Sequence, residues 1–126
     1  MRIDVFTIFP GLVDAFCAES LLGKARGSGL LDLRLHDPRD HTSDVHRTVD
    51  DTPFGGGAGM VMKPEPLVAA IEDSRASLAP RRARVVLMDP QGTPFTQAEA
   101  RRLASYEALV LVCGRYEGVD ERVRPF

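Results

Sequence analysis

The stretch LVLVCGRYEGVDERV, residues 109–123, joins an apolar run to a dense group of charged side chains. Residues 108–113 are almost all aliphatic, which predicts a buried β-strand. Gly114 ends this run, and residues 115–118 are Arg, Tyr, Glu and Gly. Glycine allows positive φ and lets backbone approach a ligand closely. The stretch therefore predicts an interior strand whose C-terminal loop is a candidate ligand site.

Composition is typical of a globular domain. The chain has 126 residues, 44% of them hydrophobic and 27% charged, which suits one domain with a real core. The net charge of -2 excludes a global basic surface, so any contact with nucleic acid would use local patches. Both cysteines lie in apolar runs, which favours free thiols in the cytosol. Asp4, Pro10 and Asp14 interrupt the N-terminal apolar stretch, so we expect neither a signal peptide nor a membrane span.

Hydrophobic periodicity predicts the order β-α-β-loop-α-β-α-β. The predicted strands are residues 2–9, 30–37, 83–89 and 108–113, and the predicted helices are residues 12–25, 64–74 and 96–105. Thr96 is the expected N-cap of the last helix. Residues 83–89 are almost continuously apolar, which indicates burial on both faces. Strands that alternate with helices predict an α/β fold with a mainly parallel sheet flanked by helices.

The strand at 83–89 also ends in an unusual loop. Pro90, Gln91 and Gly92 predict a tight turn with a polar side chain at its tip. Ligands in open α/β sheets collect beyond the C-terminal ends of the strands, so two such loops after neighbouring strands favour a binding site. The alternatives are a plain strand-to-helix turn and, after Gly114, solvated ion pairs worth less than about 1 kcal/mol each.

A third candidate loop is RTVDDTPFGGGAGM, residues 47–60, with four glycines in five positions. Met60 and Val61 stand where a phosphate-binding loop needs Lys and Ser or Thr, which argues against that class of site. A flexible linker is one interpretation. Because Asp50 and Asp51 precede the glycines and large apolar residues flank them, a flap that folds over a substrate fits better.

The three histidines lie within residues 36–46, among three aspartates. Their spacing matches no compact metal-binding motif, so we predict no metal site here. His46 and Arg47 are better candidates for contact with a substrate. The residues of this cluster are His36, His41, His46, Asp37, Asp40 and Asp44.

Three motifs follow one another along the chain in a characteristic order and spacing. They are HRTVDDTPFGGGAGMVM at 46–62, DPQG at 89–92 and LVCGRYEGVDERV at 111–123. Together they resemble the bacterial tRNA (guanine-N1)-methyltransferases, and the resemblance runs along the whole chain. That family belongs to the SPOUT class of methyltransferases, which have a trefoil knot. The resemblance implies methylation of N1 of the guanine 3′ of the anticodon in tRNA. It also implies S-adenosylmethionine as donor, a homodimer with active sites between subunits, and a cytoplasmic location.

The resemblance assigns roles to individual residues. Those implied for the donor pocket are Leu87, Pro90, Gln91, Gly114, Arg115, Tyr116, Glu117 and Gly118. Those implied for contact with the tRNA guanine are His46, Asp50, Gly59 and Glu117. Asp89 departs from the small polar residue that the family pattern places there. This departure would alter contacts with the donor without abolishing them.

The family's third donor loop, its catalytic aspartate and its tRNA-binding domain all lie beyond the last motif, and the aspartate would lie beyond Phe126. The resemblance thus implies that residues 1–126 are the N-terminal portion of the S-adenosylmethionine-binding domain, without the knot-closing segment or the C-terminal domain. We assign no catalytic residue, and whether Mg²⁺ assists is left open. We expect little activity from the isolated chain, and we expect an unpaired strand edge to promote dimerisation or aggregation.

Two other functions are consistent with parts of the sequence. One is a dehydrogenase or another nucleotide-binding α/β enzyme, although no glycine fingerprint follows the first strand. The other is a non-enzymatic RNA-binding or dimerisation module with a modest basic cluster. That cluster comprises Arg75, Arg81, Arg82 and Arg84.

Overall fold

A computed structural model describes residues 1–41, 50–51, 61–62 and 64–114 of the chain. The strands are β1 (Arg2–Phe6), β2 (Asp32–His36), β3 (Asp50–Asp51), β4 (Val61–Met62), β5 (Ala83–Met88) and β6 (Ala108–Cys113). The helices are α1 (Pro10–Cys17), α2 (Ser20–Gly27), α3 (Pro64–Leu78) and α4 (Gln97–Ala104), with a short 3-10 turn at Pro38–His41. The predicted α/β class is confirmed.

Four of the described strands form one sheet in the order β2-β1-β6-β5, and every pairing in it is parallel. β1 and β6 are central, so each has a strand on both sides. The register aligns Phe6 with His36 on one side and with Val112 on the other. Leu87 on β5 pairs in turn with Val112. One row of residues therefore crosses the C-terminal end of the sheet, and the prediction of a mainly parallel sheet is confirmed.

α3 covers one face of this sheet and forms the main core. Leu67 and Ile71 of α3 are fully buried against Phe6, Val110 and Val112. Successive residues of a strand point to opposite faces, so alternate residues of β1 and β6 supply this layer. The helix starts at Pro64, where a missing N–H costs least, and continues four residues beyond the predicted end. Among the described residues no helix is long and apolar enough to cross a membrane.

The prediction that residues 83–89 are buried on both faces is wrong. β5 lies at an edge of the described sheet and pairs with β6 alone. Val85, Val86 and Leu87 are only partly buried, and Met88 is 53% exposed. An apolar run reports the preference of its own side chains and not the number of neighbours that cover them. The open edge agrees with the expected unpaired strand, while dimerisation or aggregation through it stays a prediction.

The predicted helix 12–25 is in fact two helices, α1 and α2, with a break at residues 18–19. Ser20 starts α2 with a φ of 52°. Backbone passes so close to Gly23 that an added Cβ would lie 2.2 Å from the Ala18 carbonyl oxygen. Only glycine fits at that position, and the continuous apolar spacing hides the break. The predicted long loop likewise contains the 3-10 turn and the antiparallel pairing of β3 with β4.

Neither α1 nor α2 has a buried residue. Leu12, Phe16 and Leu21 are 71%, 72% and 77% exposed, and Leu22 is 39% exposed. Leu12 and Phe16 are four residues apart and thus share one side of α1. We name this surface, formed by Leu12, Phe16, Leu21 and Leu22, the α1–α2 face. Clustered exposed apolar side chains of this kind are typical of interaction surfaces.

Candidate functional site

The two strands that precede the predicted ligand loops end side by side. β5 and β6 are adjacent and parallel, with Leu87 opposite Val112 and Met88 opposite Cys113. Both strands end at the same level, so the turn after Met88 and Gly114 after β6 lie at the same edge of the sheet. This edge is the C-terminal end of the strands, where open α/β sheets bind ligands.

The turn after β5 has the predicted tight geometry. The Gly92 N–H donates to the Asp89 carbonyl at 2.9 Å, and the Gln91 N–H donates to the Asp89 carboxylate at 2.7 Å. An added Cβ at Gly92 would come within 3.0 Å of the Asp89 carbonyl oxygen, which favours glycine. Pro90 and Gln91 are exposed at the tip. Asp89, the residue that departs from the family pattern, therefore closes the turn with its own carboxylate.

A groove of about 300 Å³ adjoins this turn, between β5 and α4. Its walls include Leu87, Met88, Gly92 and Phe95, so it offers apolar surface beside exposed backbone. Thr96 caps α4 by accepting the Glu99 N–H at 3.2 Å, as predicted. The groove has the size of a small ligand pocket, which is typically a few hundred Å³.

At the end of β6 the structure describes Cys113 and Gly114. Cys113 is partly buried, and burial raises the pKa of its thiol, which disfavours the thiolate and so argues against a nucleophilic role. Gly114 is exposed. The remaining residues implied for this wall, Arg115, Tyr116, Glu117 and Gly118, lie outside the described residues.

The described residues do not include the position at which the resemblance predicts the catalytic residue. The resemblance places the family's catalytic aspartate beyond Phe126, and Phe126 itself lies outside the described residues. Asp50 and Glu117 are the carboxylates that the motifs place nearest to a substrate, and neither is assigned as the base. The catalytic residue therefore stays unassigned.

The residues expected to contact a substrate guanine are described only in part. The backbone of Asp50 lies in β3 and pairs with Met62 of β4, so residues 52–60 are bracketed by an antiparallel ladder. His46 and Gly59 lie outside the described residues, as does the rest of the glycine-rich motif. Among the residues that the structure does describe, no cluster of three or more His, Cys, Asp or Glu side chains could hold a metal ion.

One polar cluster at the sheet was not predicted. Asp4 is fully buried, and Arg2 donates to both of its carboxylate oxygens, at 2.8 and 3.0 Å. His36 Nε2 lies 2.7 Å from Asp4 Oδ1. The His36 ring stacks on Phe6, with centroids 4.6 Å apart and planes 18° apart. Ser77 Oγ accepts a further hydrogen bond from Arg2 at 2.9 Å, which connects the cluster to α3.

The charge state of this cluster follows from its contacts. Burial alone would raise the pKa of Asp4, but hydrogen bonds from His36 and Arg2, with the charge of Arg2, lower that pKa to about 2. Asp4 is thus an ionised carboxylate near neutral pH and accepts hydrogen bonds only. The sequence signal for it was the alternation Arg2-Asp4-Phe6, which places two charged residues on the same face of β1 as a core aromatic residue.

One residue of the predicted basic cluster, Arg82, makes contacts with neighbouring residues of the domain. The Arg82 guanidinium lies 4.5 Å from the centre of the Tyr106 ring and donates to the Ser105 carbonyl. This packing joins the start of β5 to the segment before β6, which is a structural role.

Comparison with known proteins identifies the family. A family model described as tRNA (Guanine-1)-methyltransferase TrmD matches residues 1–125. The chain is 57% identical over 122 residues to a tRNA (guanine-N(1)-)-methyltransferase of Myxococcus xanthus, covering 96% of this chain and 49% of that protein. It is 52% identical over 124 residues to a protein of the same name from Thermomicrobium roseum, covering 98% of this chain and 46% of that one. The chain spans about half the length of these curated relatives. With a match along almost its whole length, the chain belongs to the TrmD family of tRNA (guanine-1)-methyltransferases.

Proposed function

We propose that the protein containing this chain methylates N1 of the guanine 3′ of the anticodon in tRNA, with S-adenosylmethionine as donor. The observation that carries the proposal is the family match over residues 1–125. The adjacent ends of β5 and β6 at one sheet edge support it, because the resemblance implies that the loops following these strands enclose the donor. Residues 1–126 would then be the N-terminal portion of a SPOUT methyltransferase domain.

The described residues suit an adenosine-containing donor. Leu87 lines the groove beside β5, and Pro90 and Gln91 are exposed at the turn. Exposed backbone at Gly114 can hydrogen-bond to the edge of a heterocycle without a phosphate-binding loop. In this proposal Leu87, Pro90 and Gln91 form one wall, and Gly114, Arg115, Tyr116, Glu117 and Gly118 form the other. When bound, the donor supplies the methyl group from a sulfonium cation.

The substrate side of the reaction needs a proton acceptor. N1 of guanine carries a proton at neutral pH, so that proton must leave as the N1–methyl bond forms, and a general base must lie within hydrogen-bond reach. A positive group near O6 would stabilise the charge that moves onto the guanine. We propose His46, Asp50, Gly59 and Glu117 as contacts of the guanine, without assigning the base to any of them.

The test uses the protein that contains this chain and measures methyl transfer from labelled S-adenosylmethionine to two tRNA transcripts. One carries guanine 3′ of the anticodon, and the matched control carries adenine at that single position. We expect label at N1 of guanine in the first transcript and none in the control. Equal labelling of both, or label at another atom of the guanine, would contradict the proposed site of methylation.

Equilibrium binding separates this function from a dehydrogenase or another nucleotide-binding enzyme. We expect S-adenosylhomocysteine to bind and to compete with S-adenosylmethionine, while NAD and ATP do not compete. A Gln91→Ala variant should weaken this binding, whereas Ser28→Ala, at the exposed end of α2, should leave it unchanged. Competition by NAD or ATP alone would favour the other class of enzyme.

We further propose a cytoplasmic homodimer in which the α1–α2 face is a contact surface. Its support is the exposure of Leu12, Phe16 and Leu21, because exposed apolar surface of this kind is stabilised when a partner covers it. Sedimentation over a range of concentrations should show a dimer that Phe16→Ser weakens. Phe95→Ser is the matched control, since Phe95 is also 72% exposed but lies beside α4. A monomer at every concentration would contradict the dimer.

A further inference from the structure

His36 has one ring nitrogen engaged by the protein and one that reaches solvent. Nε2 lies 2.7 Å from the ionised carboxylate of Asp4, so Nε2 carries the proton and donates. The side chain is 32% exposed. Within the part of the chain that the structure describes, Ser74 Oγ is the sole buried side-chain nitrogen or oxygen without a hydrogen-bond partner. Nδ1 of His36 has no protein partner there and must therefore be accessible to solvent.

The orientation of this ring is fixed from two sides. The Asp4 carboxylate, itself held by Nε and Nη2 of Arg2, directs Nε2 of His36 inwards. The stack on Phe6 sets the plane of the ring. A histidine whose one nitrogen is bound to a buried carboxylate presents the other nitrogen in a defined tautomer and direction, which is common among histidines that contact ligands.

His36 also lies at the ligand edge of the sheet. It is the last residue of β2, and its row continues through Phe6 and Val112 to Leu87. Neighbouring strands are about 4.8 Å apart, so the His36 Cα is on the order of 10 Å from Val112, two residues before Gly114. β1 lies between His36 on β2 and the end of β6, where the donor is proposed. A polynucleotide that places one base at the donor would reach His36 with an adjoining nucleotide.

We propose that Nδ1 of His36 accepts a hydrogen bond from the RNA substrate, from a ribose 2′-hydroxyl or a base amino group. The proposal rests on the proposed function, since it names a contact of the same substrate. Asp4 is then a positioning residue that acts through His36. Hydroxyl and amino donors of RNA are the chemical groups that the unprotonated nitrogen of an oriented Nε2–H imidazole recognises.

Two substitutions at His36 separate the acceptor from the ring. His36→Phe keeps an aromatic ring to stack on Phe6 but has no nitrogen. His36→Gln loses the ring but keeps an N–H for Asp4 and a carbonyl oxygen as acceptor. We expect His36→Phe to weaken tRNA binding about tenfold, the loss of one good hydrogen bond, and His36→Gln to retain most of the affinity. Both variants should bind S-adenosylhomocysteine with the same affinity as the parent protein, that is, the protein without either substitution.

Nitrogen chemical shifts of the imidazole test the contact directly. In ¹⁵N-histidine-labelled protein, the His36 signals are those that His36→Gln removes. We expect an Nε2–H tautomer in the free protein and a shift of Nδ1 when tRNA is added, with no shift on adding S-adenosylhomocysteine. An Nδ1–H tautomer, an Nδ1 signal unmoved at saturating tRNA, or full tRNA affinity in His36→Phe would each overturn this inference alone. Failure of the parent protein to bind tRNA at all would overturn the proposed function as well.

Discussion

Replacement of Asp4 by Asn should destabilise the protein strongly. Asp4 is fully buried, and Arg2 beside it is only 7% exposed. Asn has nearly the shape of the acid but no charge, so the guanidinium would keep its buried position without its hydrogen-bonded counter-ion. Removal of one partner from a buried ion pair costs about 3–5 kcal/mol in well-studied proteins.

The lowered pKa of Asp4 gives a second measure, the free energy by which the contacts of Asp4 favour its ionised form in the folded protein. The pKa falls from its ordinary value of 3.8 to about 2 in the folded protein. At about 1.4 kcal/mol per pH unit, this difference corresponds to about 2.5 kcal/mol in favour of the ionised folded state. Because the folded pKa is the lower one, this stability is fully present above pH 3.8 and is lost as the pH falls to about 2. Taken together, the two measures predict that Asp4→Asn costs about 2–4 kcal/mol near neutral pH.

The assay is urea unfolding followed by circular dichroism, with the free energy of unfolding extrapolated to water at several pH values. The parent protein should lose stability across the interval from 3.8 to about 2, and Asp4→Asn should lose less there because the titrating group is gone. Asp32→Asn is the matched control, since Asp32 pairs with Arg34 at the surface and should change stability by less than about 0.5 kcal/mol. A cost below about 1 kcal/mol for Asp4→Asn, or an unchanged pH dependence, would refute the reasoning.

Two local substitutions test the helices by thermal or urea unfolding. Gly23→Ala should cost about 1–3 kcal/mol, because its Cβ would meet the Ala18 carbonyl oxygen at 2.2 Å. Gly27→Ala meets nothing within 4 Å and should be neutral or stabilising by up to about 1 kcal/mol; equal costs at both sites would contradict the close approach. Thr96→Ala should cost about 1 kcal/mol through loss of the α4 cap, whereas Thr93→Ala should have no such effect.

Features that depend on adjacent residues were predictable from the sequence. The bounds of β6 and the Thr96 cap follow from an apolar run and from one hydroxyl three residues before the N–H that it accepts. The turn at residues 89–92 likewise follows from its own Pro, Gln and Gly. In each case the physical cause lies within a few residues, so a pattern in the sequence contains it.

Features that depend on neighbours in space were not predictable in the same way. β5 and β6 are both mainly apolar, yet β5 is an edge strand of the described sheet and β6 is central. The break between α1 and α2 depends on the approach of the Ala18 carbonyl to Gly23, which leaves no trace in the apolar spacing. The exposure of Leu12 and Phe16 also follows from the absence of a covering element among the described residues.

The residues of the candidate site likewise include some that belong to continuous motifs and others that meet only in the folded structure. Leu87, the 89–92 turn and Gly114 were predicted from the resemblance, whose motifs are each continuous in the chain. His36 and Asp4 are 32 residues apart and meet only because β1 and β2 pair in parallel. That pairing places His36 in one row with Leu87 at the ligand edge, so the sheet topology adds a candidate substrate contact that no single motif contains. A polynucleotide is long enough to contact both ends of this row. If the proposed function is right, we therefore expect the sheet edge as a whole, rather than the two glycine loops alone, to determine RNA recognition.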